Sequence, residues 1–411
     1  MWRKARALAL LVATLSAHSM RAQHVGHDTT GIGAQRPRSF GLMATGLVSH
    51  VPHAALGARV TEAYLTQPTL MARLGRPNSP FQATASLNLE GLTLARGEIN
   101  PGGYGEGYED RRHPHTYVHE ALVGVEVHRR GMRGSLFMGK GFVPFGTDDP
   151  MGRPFAKYPV NHHLAQLLER AMVVGAARIG PLSIEAASFN GDEPERPADW
   201  PNGDRHFDSW STRVTGAMHP SLEVQASVAH VVSPEDPRGF GLDQRKASAA
   251  IRVSRPRGRW RYGLLEWART GEYRDARRVW TFASLLAEGE WRVGAGAAAI
   301  RLEHTLRPEE DRTQDVYRSV RPLLDFGILG RSRWTSVSLA LSAPPRRLGY
   351  LVLEPFLEGS WLRPRATSRP TALDPVELFR ASSVRMLSGG VRLRVGSPHS
   401  RIGRYGAAAA S

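Results

Sequence analysis

Apolar and polar residues alternate with a period of two over much of the chain. In 81–90, Phe81, Ala83, Ala85, Leu87 and Leu89 form one set, and Gln82, Thr84, Ser86, Asn88 and Glu90 the other. Leu222, Val224, Ala226 and Val228 alternate with Glu223, Gln225 and Ser227, and Ala247, Ala249, Ile251 and Val253 with Ser248, Ala250, Arg252 and Ser254. Toward the end, Thr335, Val337, Leu339 and Leu341 alternate with Ser336, Ser338 and Ala340. Leu351, Leu353 and Leu357 alternate with Val352, Glu354 and Glu358, and Val391, Leu393 and Val395 with Arg392 and Arg394. Successive strand side chains point to opposite faces, so each run predicts a β-strand with one apolar face. A helix would not gather these charges on one side.

Alternation does not separate a soluble sandwich, whose apolar face is its core, from a membrane barrel, whose apolar face meets lipid. The connections do. Short turns are predicted near 76–80, 130–134, 179–181, 219–221, 255–258, 288–290 and 330–332, and long polar stretches near 95–114, 146–167, 191–206, 233–244 and 305–316. Short and long connections taking turns predict an all-β fold. It is a closed antiparallel transmembrane β-barrel of about 16 strands, within a range of about 14–18. Both 330–332 and 343–348 read as short, so parity fails near the end of the chain. Trp260, Trp291 and Trp334 follow short turns and Trp361 precedes a long stretch, positions suited to the bilayer interfaces.

Composition adds an address. Arg3, Lys4 and Arg6 precede the apolar run 7–17, and small residues follow near 17–22; this predicts a cleaved secretory signal over 1–22. The run is too short to span a bilayer as a helix, and no later run approaches the length needed. A leader is expected over 23–38, the barrel over 39–396 and a tail over 397–411. The chain has no cysteine, which excludes disulfides and a lipidated cysteine anchor. Its net charge is +16, almost all of the excess being arginine, since Lys4, Lys140, Lys157 and Lys246 are the only lysines. No basic block stands out, so nucleic acid is not an expected partner.

One stretch is more specific. It runs Met138-Gly-Lys-Gly-Phe-Val-Pro-Phe-Gly146, then a long loop, then Leu168-Glu169-Arg170, a strand, and Phe189-Asn190-Gly191. It resembles the phosphate-selective porin O/P family of outer-membrane porins over about 135–191. Gly139 and Gly141 spare the strand a bulky side chain where another backbone could approach, and Pro144 removes a ladder donor, so the strand must end or become an edge there. The resemblance implies that 147–166 folds inward. Lys140, Arg153, Lys157, Glu169 and Arg170 would then lie at a pore constriction. Glu90, Glu223, Arg252, Glu354, Glu358, Arg392 and Arg394 are expected to line the lumen, because charge on the lipid face costs about 2–4 kcal/mol at mid-bilayer. Members that select phosphate use clustered lysines and an arginine ladder. Here the loop has only Lys157 with Arg153 nearby, and it carries Asp148 and Asp149. The expectation is therefore a mild anion preference. The final residue is not the aromatic of many barrel assembly signals; Tyr405 is the nearest candidate.

Other chemistry is weakly supported. His113, His115, His119, His162 and His163, with Asp148 and Asp149, suggest a divalent metal. Yet His115 and His119 lie about 13 Å apart along a strand, and the spacing matches no zinc signature. No metal and no cofactor are expected; His113, His115, His162 and His163 are the weak candidates. No GxSxG word or Ser–His pair supports a hydrolase, so an enzyme is not expected. Asp192, Glu193, Glu195 and Asp199 form an acidic loop that reads as solvated or as a calcium site. The expected function is an outer-membrane channel for small polar or anionic solutes. A structural, adhesive or plugged barrel is the alternative, and a barrel enzyme or soluble periplasmic β-protein stands behind it. The expected partners are the lipid bilayer, lipopolysaccharide, the barrel assembly machinery, small solutes and, in a homotrimer, further copies of the chain.

Overall fold

The computed structural model describes residues 38–75, 79–94, 98–101, 116–147, 150–194, 197–255, 257–310, 328–367, 374–396 and 402–408. The expected signal segment, the expected leader up to residue 37, His113, His115, Asp148, Asp149 and Glu195 lie outside the described residues.

The described chain is almost entirely strand. In order these are β1 (Arg38–Val51), β2 (Val60–Gly75), β3 (Phe81–Asn88), β4 (Val118–Arg129), β5 (Met132–Phe142) and β6 (Glu169–Ile179). There follow β7 (Leu182–Phe189), β8 (Ser209–His219), β9 (Leu222–Val231), β10 (Asp243–Ser254), β11 (Trp260–Arg274) and β12 (Arg277–Val293). The last are β13 (Gly296–Glu310), β14 (Ile328–Ser342), β15 (Arg346–Leu348), β16 (Leu351–Ala366) and β17 (Val384–Gly396). Each pairs antiparallel with its neighbour. β1 pairs with β17 from Gly41↔Gly396 to His50↔Leu387, which closes the sheet.

Seventeen segments make a sixteen-strand barrel because β15 continues the line of β14. β14 pairs with β16 up to Ser342↔Phe356, and β15 resumes at Arg346↔Leu353. The break falls at Pro344 and Pro345, which have no N–H to give a ladder. This restores the even count. The start of β1 and the end of β17 meet on the side of the short turns.

Two predicted turns are strand instead. Residues 288–290 lie inside β12, where Gly289 pairs with Gly263. A Cβ on either glycine would strike a tryptophan ring, that of Trp291 or Trp260. These glycines seat aromatic rings rather than turning the chain. Residues 330–332 lie inside β14, and the true connection after β12 is at 294–295. The stretch 305–316 was expected to be loop, but β13 runs through Glu310. Its polar residues Arg307 and Glu309 face inward and pair with each other at 3.1 Å. Trp334 also departs from expectation. It is fully buried inside the barrel, edge-on to Phe379 with ring centroids 5.9 Å apart, and its N–H donates to the Ser332 hydroxyl.

The outer wall carries the apolar sets: Phe81, Leu87, Val224, Val228, Ile251, Leu339, Leu341 and Leu357 are exposed. Their strand neighbours Ser86, Asn88, Gln225, Ser227, Ser248, Ser338 and Glu358 are buried. The barrel is therefore polar inside and apolar outside, the arrangement that lipid demands. No described helix is long and apolar enough to cross a membrane.

Candidate functional site

The segment 143–168 leaves the end of β5 and returns to β6. It enters the barrel because Pro144 ends the strand, and its residues from Val143 to Leu168 are mostly buried. A single bridge, Gly146↔Gln166, pins its neck. Gly146 has φ of 68°, and a Cβ there would collide with the Ala165 carbonyl, so the neck requires glycine.

Backbone groups within the segment need partners once water is excluded. The barrel wall supplies them from many strands. The Gly146 N–H donates to Ser227 on β9, and Lys246 on β10 donates to the His163 carbonyl. The Ala156 N–H donates to Glu358 on β16 at 2.8 Å. Those of Val160 and Asn161 donate to Glu303 on β13 at 3.0 and 3.1 Å. Arg301 donates to the Lys157 carbonyl at 2.8 Å, and Arg392 on β17 to that of Pro154. The loop is thus sewn to half the circumference, from β9 round to β17.

Its two cations are matched within the barrel. Arg153 donates to Thr147 and lies 3.3 Å from Glu266 and 3.8 Å from Glu288. Glu288 also holds Arg301 at 2.6 Å, whose guanidinium covers the Phe155 ring. Lys157 bonds Glu98 at 2.8 Å, the Ile99 carbonyl at 2.6 Å and the Tyr64 hydroxyl. Burial alone would depress the Lys157 pKa; the Glu98 charge and Tyr64 outweigh it and hold the ammonium above the ordinary lysine value.

The other expected constriction residues form a separate cluster. Lys140 donates to the Thr116 hydroxyl, which also donates to Glu169 at 3.1 Å. Glu169 lies 3.5 Å from His119, and Arg170 lies 3.4 Å from Glu193 of the acidic loop. Lys140, Glu169 and Arg170 therefore sit together, while Arg153 and Lys157 answer to different carboxylates.

Glu90 is buried and accepts from Thr66 and from the Gln67 N–H. Glu223 pairs with Arg404, and Arg252 lies beside them at a small cavity also lined by Thr147, Gln225 and Ala250. Glu354 bridges Arg392 at 2.8 Å and Arg394 at 3.1 Å. Glu98, Glu266, Glu288, Arg301 and Glu303 were missed by sequence reasoning. The inward sets of β11 and β12 include Leu264, Phe282 and Leu286, which hide the alternation; the i,i+2 pair Arg301–Glu303 is the signal that marks them. His162 stacks on Tyr158, centroids 4.5 Å apart, and neighbours His163. No group of three potential metal ligands gathers among the described residues.

The segment Ile402–Ala408 also lies inside the barrel, against β5–β9. Burial pushes the Tyr405 hydroxyl pKa up, so it stays protonated and donates to the Phe142 carbonyl.

The interior is close to balanced in charge. The buried described residues include thirteen carboxylates and ten lysines or arginines, so the +16 excess is not carried by the buried interior.

No protein-family model matches the chain, and no curated protein sequence matches it. Solved structures do match in fold. An anion-selective porin from Comamonas acidovorans superposes with a TM-score of 0.51 at 11% identity, covering 88% of this chain and 99% of that one. OmpT in its trimer form, an outer membrane protein of Vibrio cholerae, gives 0.51 at 9% identity, over 88% and 99% of the two chains. At such identities the likeness is one of fold: this chain shares the barrel architecture of outer-membrane porins.

Proposed function

We propose that the chain is an outer-membrane channel of porin type that passes small polar solutes by diffusion, with a mild preference for anions. The observation that carries this reading is the segment 143–168, held across the lumen by charged side chains of the far wall. A loop so fixed narrows a pore without closing the barrel. The lipid-compatible outer wall and the fold shared with an anion-selective porin support the same location and class. A homotrimer is the proposed assembly, since one similar structure is a trimer form.

The constriction proposed is Arg153 and Lys157 with their carboxylates, flanked by the Lys140–Glu169–Arg170 cluster. Paired charges give little net field, so selectivity there is weak. Anion preference would come from the inner rim at the short turns. There Arg133, Arg178, Arg252, Arg261, Arg292 and Arg394 outnumber Glu126, Glu223, Glu290 and Glu354 along the inward-facing positions. Cations around a narrow opening concentrate anions. The resemblance to phosphate-selective porins is carried no further than this.

A plugged, non-conducting barrel is the second reading, favoured by the depth to which 143–168 and 402–408 fill the interior. Single-channel recording of folded protein in planar bilayers, in several salts, decides. Discrete steps with a reversal potential on the anion side of zero in a salt gradient support the proposal. Absence of steps supports the plug.

A further inference from the structure

The inner wall of this barrel is not uniform. On β8–β10 the inward positions at mid-strand are mostly polar: Ser211, Arg213 and Thr215, then Gln225 and Ser227, then Lys246 and Ser248, with Ala229 and Val231 on β9 and Ala250 on β10 the apolar members. On β4–β6 an apolar patch interrupts the inward-facing charges: Leu122, Phe137, Met172, Val174 and Ala176 are all buried, between Glu120, Lys140 and Arg170 toward one end and Glu126, Arg133 and Arg178 toward the other. Between Ala171 and Ala177 strand β6 is therefore apolar on both faces, the pattern of a strand covered on both sides. Lipid covers the outer face. An open lumen would leave the inner face to water.

What covers it is the segment Ile402–Ala408. Tyr405 packs in the cluster with Leu122, Phe137, Met172 and Val174, and Ala407 and Ala408 pack on Ala176. Glycines shape the contact from both sides. A Cβ on Gly141 would lie 2.9 Å from the Tyr405 hydroxyl, and a Cβ on Gly406, whose φ is 49°, would run into Ser135. The Ala407 N–H donates to the Ser135 hydroxyl at 3.1 Å.

The other edge of the seat is polar and closed by charge. Arg404 lies 3.5 Å from Glu185 and 3.1 Å from Glu223, and donates to Thr215 and Gln225. Arg213 in turn donates to the Gly403 carbonyl and pairs with Glu185 at 2.6 Å. Apolar wall, glycine clearances and a matched ion-pair latch coincide on seven residues.

We infer that Ile402–Ala408 is an intrachain plug, seated on the apolar wall of β4–β6 and latched by Arg404, and that it sets the bore of the pore together with 143–168. The bore rests on the channel reading above; the seating does not.

The chain has no cysteine, so a single thiol can report the seat. Ala176→Cys is placed in three backgrounds: the full chain, a chain ending at residue 400, and the full chain with Arg404→Glu, which sets a third carboxylate against Glu185 and Glu223. Each is folded into micelles and labelled with a small, membrane-impermeant maleimide. Position 176 is about 13 Å along the strand from the turn at 180–181, within reach from the mouth. The expected result is slow labelling in the full chain and labelling at least about tenfold faster in the other two, with single-channel conductance at least doubled. Labelling rates within about twofold of one another in all three overturn the plug. If the shortened chain does not fold, the Arg404→Glu chain decides by the same comparison. Faster labelling with no conductance in any background supports the plug and refutes the channel.

Discussion

Lys157→Met tests whether the loop is latched as described. The ammonium is buried, lies 2.8 Å from the Glu98 carboxylate and also meets Tyr64 and the Ile99 carbonyl. At an effective dielectric of about 20 the charge pair alone is worth about 6 kcal/mol before desolvation is counted. Desolvation cancels part of that. Removing one partner still costs about 3–5 kcal/mol, because Glu98 is left buried and uncompensated. The assay is urea unfolding in lipid micelles, followed by the heat-dependent gel shift of folded barrels. Lys157→Met should lower stability by about 3–5 kcal/mol, and the double variant Lys157→Met/Glu98→Gln should recover a good part, since no charge is then stranded. A loss below about 1 kcal/mol with no coupling would refute the latch. The pH dependence has a fixed sign. The folded-state pKa of Lys157 is raised, so its contribution is complete below the unfolded value near about 10.4 and fades only as pH rises through the folded one. Between about pH 6 and about pH 9 this pair should add no slope to stability.

Neutralising Lys140, Arg153 and Lys157 together should move the reversal potential in a salt gradient toward cation preference, since Glu98, Glu266 and Glu288 then lose counter-charges; an unchanged potential would take these residues out of the ion path. Arg301→Met cuts the bond to Glu288 and the support of the Lys157 carbonyl. It should raise open-channel current noise, and recordings as quiet as the unaltered protein would argue that the loop stands without it. Leu339→Arg places a charge on the lipid face and should cost about 2–4 kcal/mol, seen as a smaller folded fraction in vesicles. Equal yields would mean that the β14 register is wrong.

Alternation was legible wherever one face met lipid and the other a polar interior, as in β3, β9, β10, β14, β16 and β17. It failed in β6 between Ala171 and Ala177 for a physical reason: the tail covers its inner face there, so both faces are apolar. Glycine misled at 288–290 because a glycine beneath a tryptophan ring and a glycine in a turn look alike in one dimension. Polar residues misled at 305–310 because Arg307 and Glu309 satisfy each other inside the barrel instead of facing solvent. Of the candidate site, Pro144 and the glycines announced the inward loop. Which carboxylate would meet Arg153 or Lys157 was not readable, since Glu266 and Glu288 come from distant strands and Glu98 from the connection between β3 and β4.

The seam between β1 and β17 has a kinetic side. Every other pairing joins strands that follow one another or, at the β15 break, nearly so; Gly41 must find Gly396 across the whole barrel. Loop closure grows costlier with separation, which makes the seam the slow contact of assembly. The plug hangs from the strand that forms this seam, yet its Arg404 latch, on β7 and β8, lies diametrically across the ring. A cylinder that zipped shut early would have to be threaded afterwards; one that zips around a seated plug encloses it. Filling and closing are in this way coupled in time, and the speed at which the barrel completes itself is set in part by seven residues that belong to no strand.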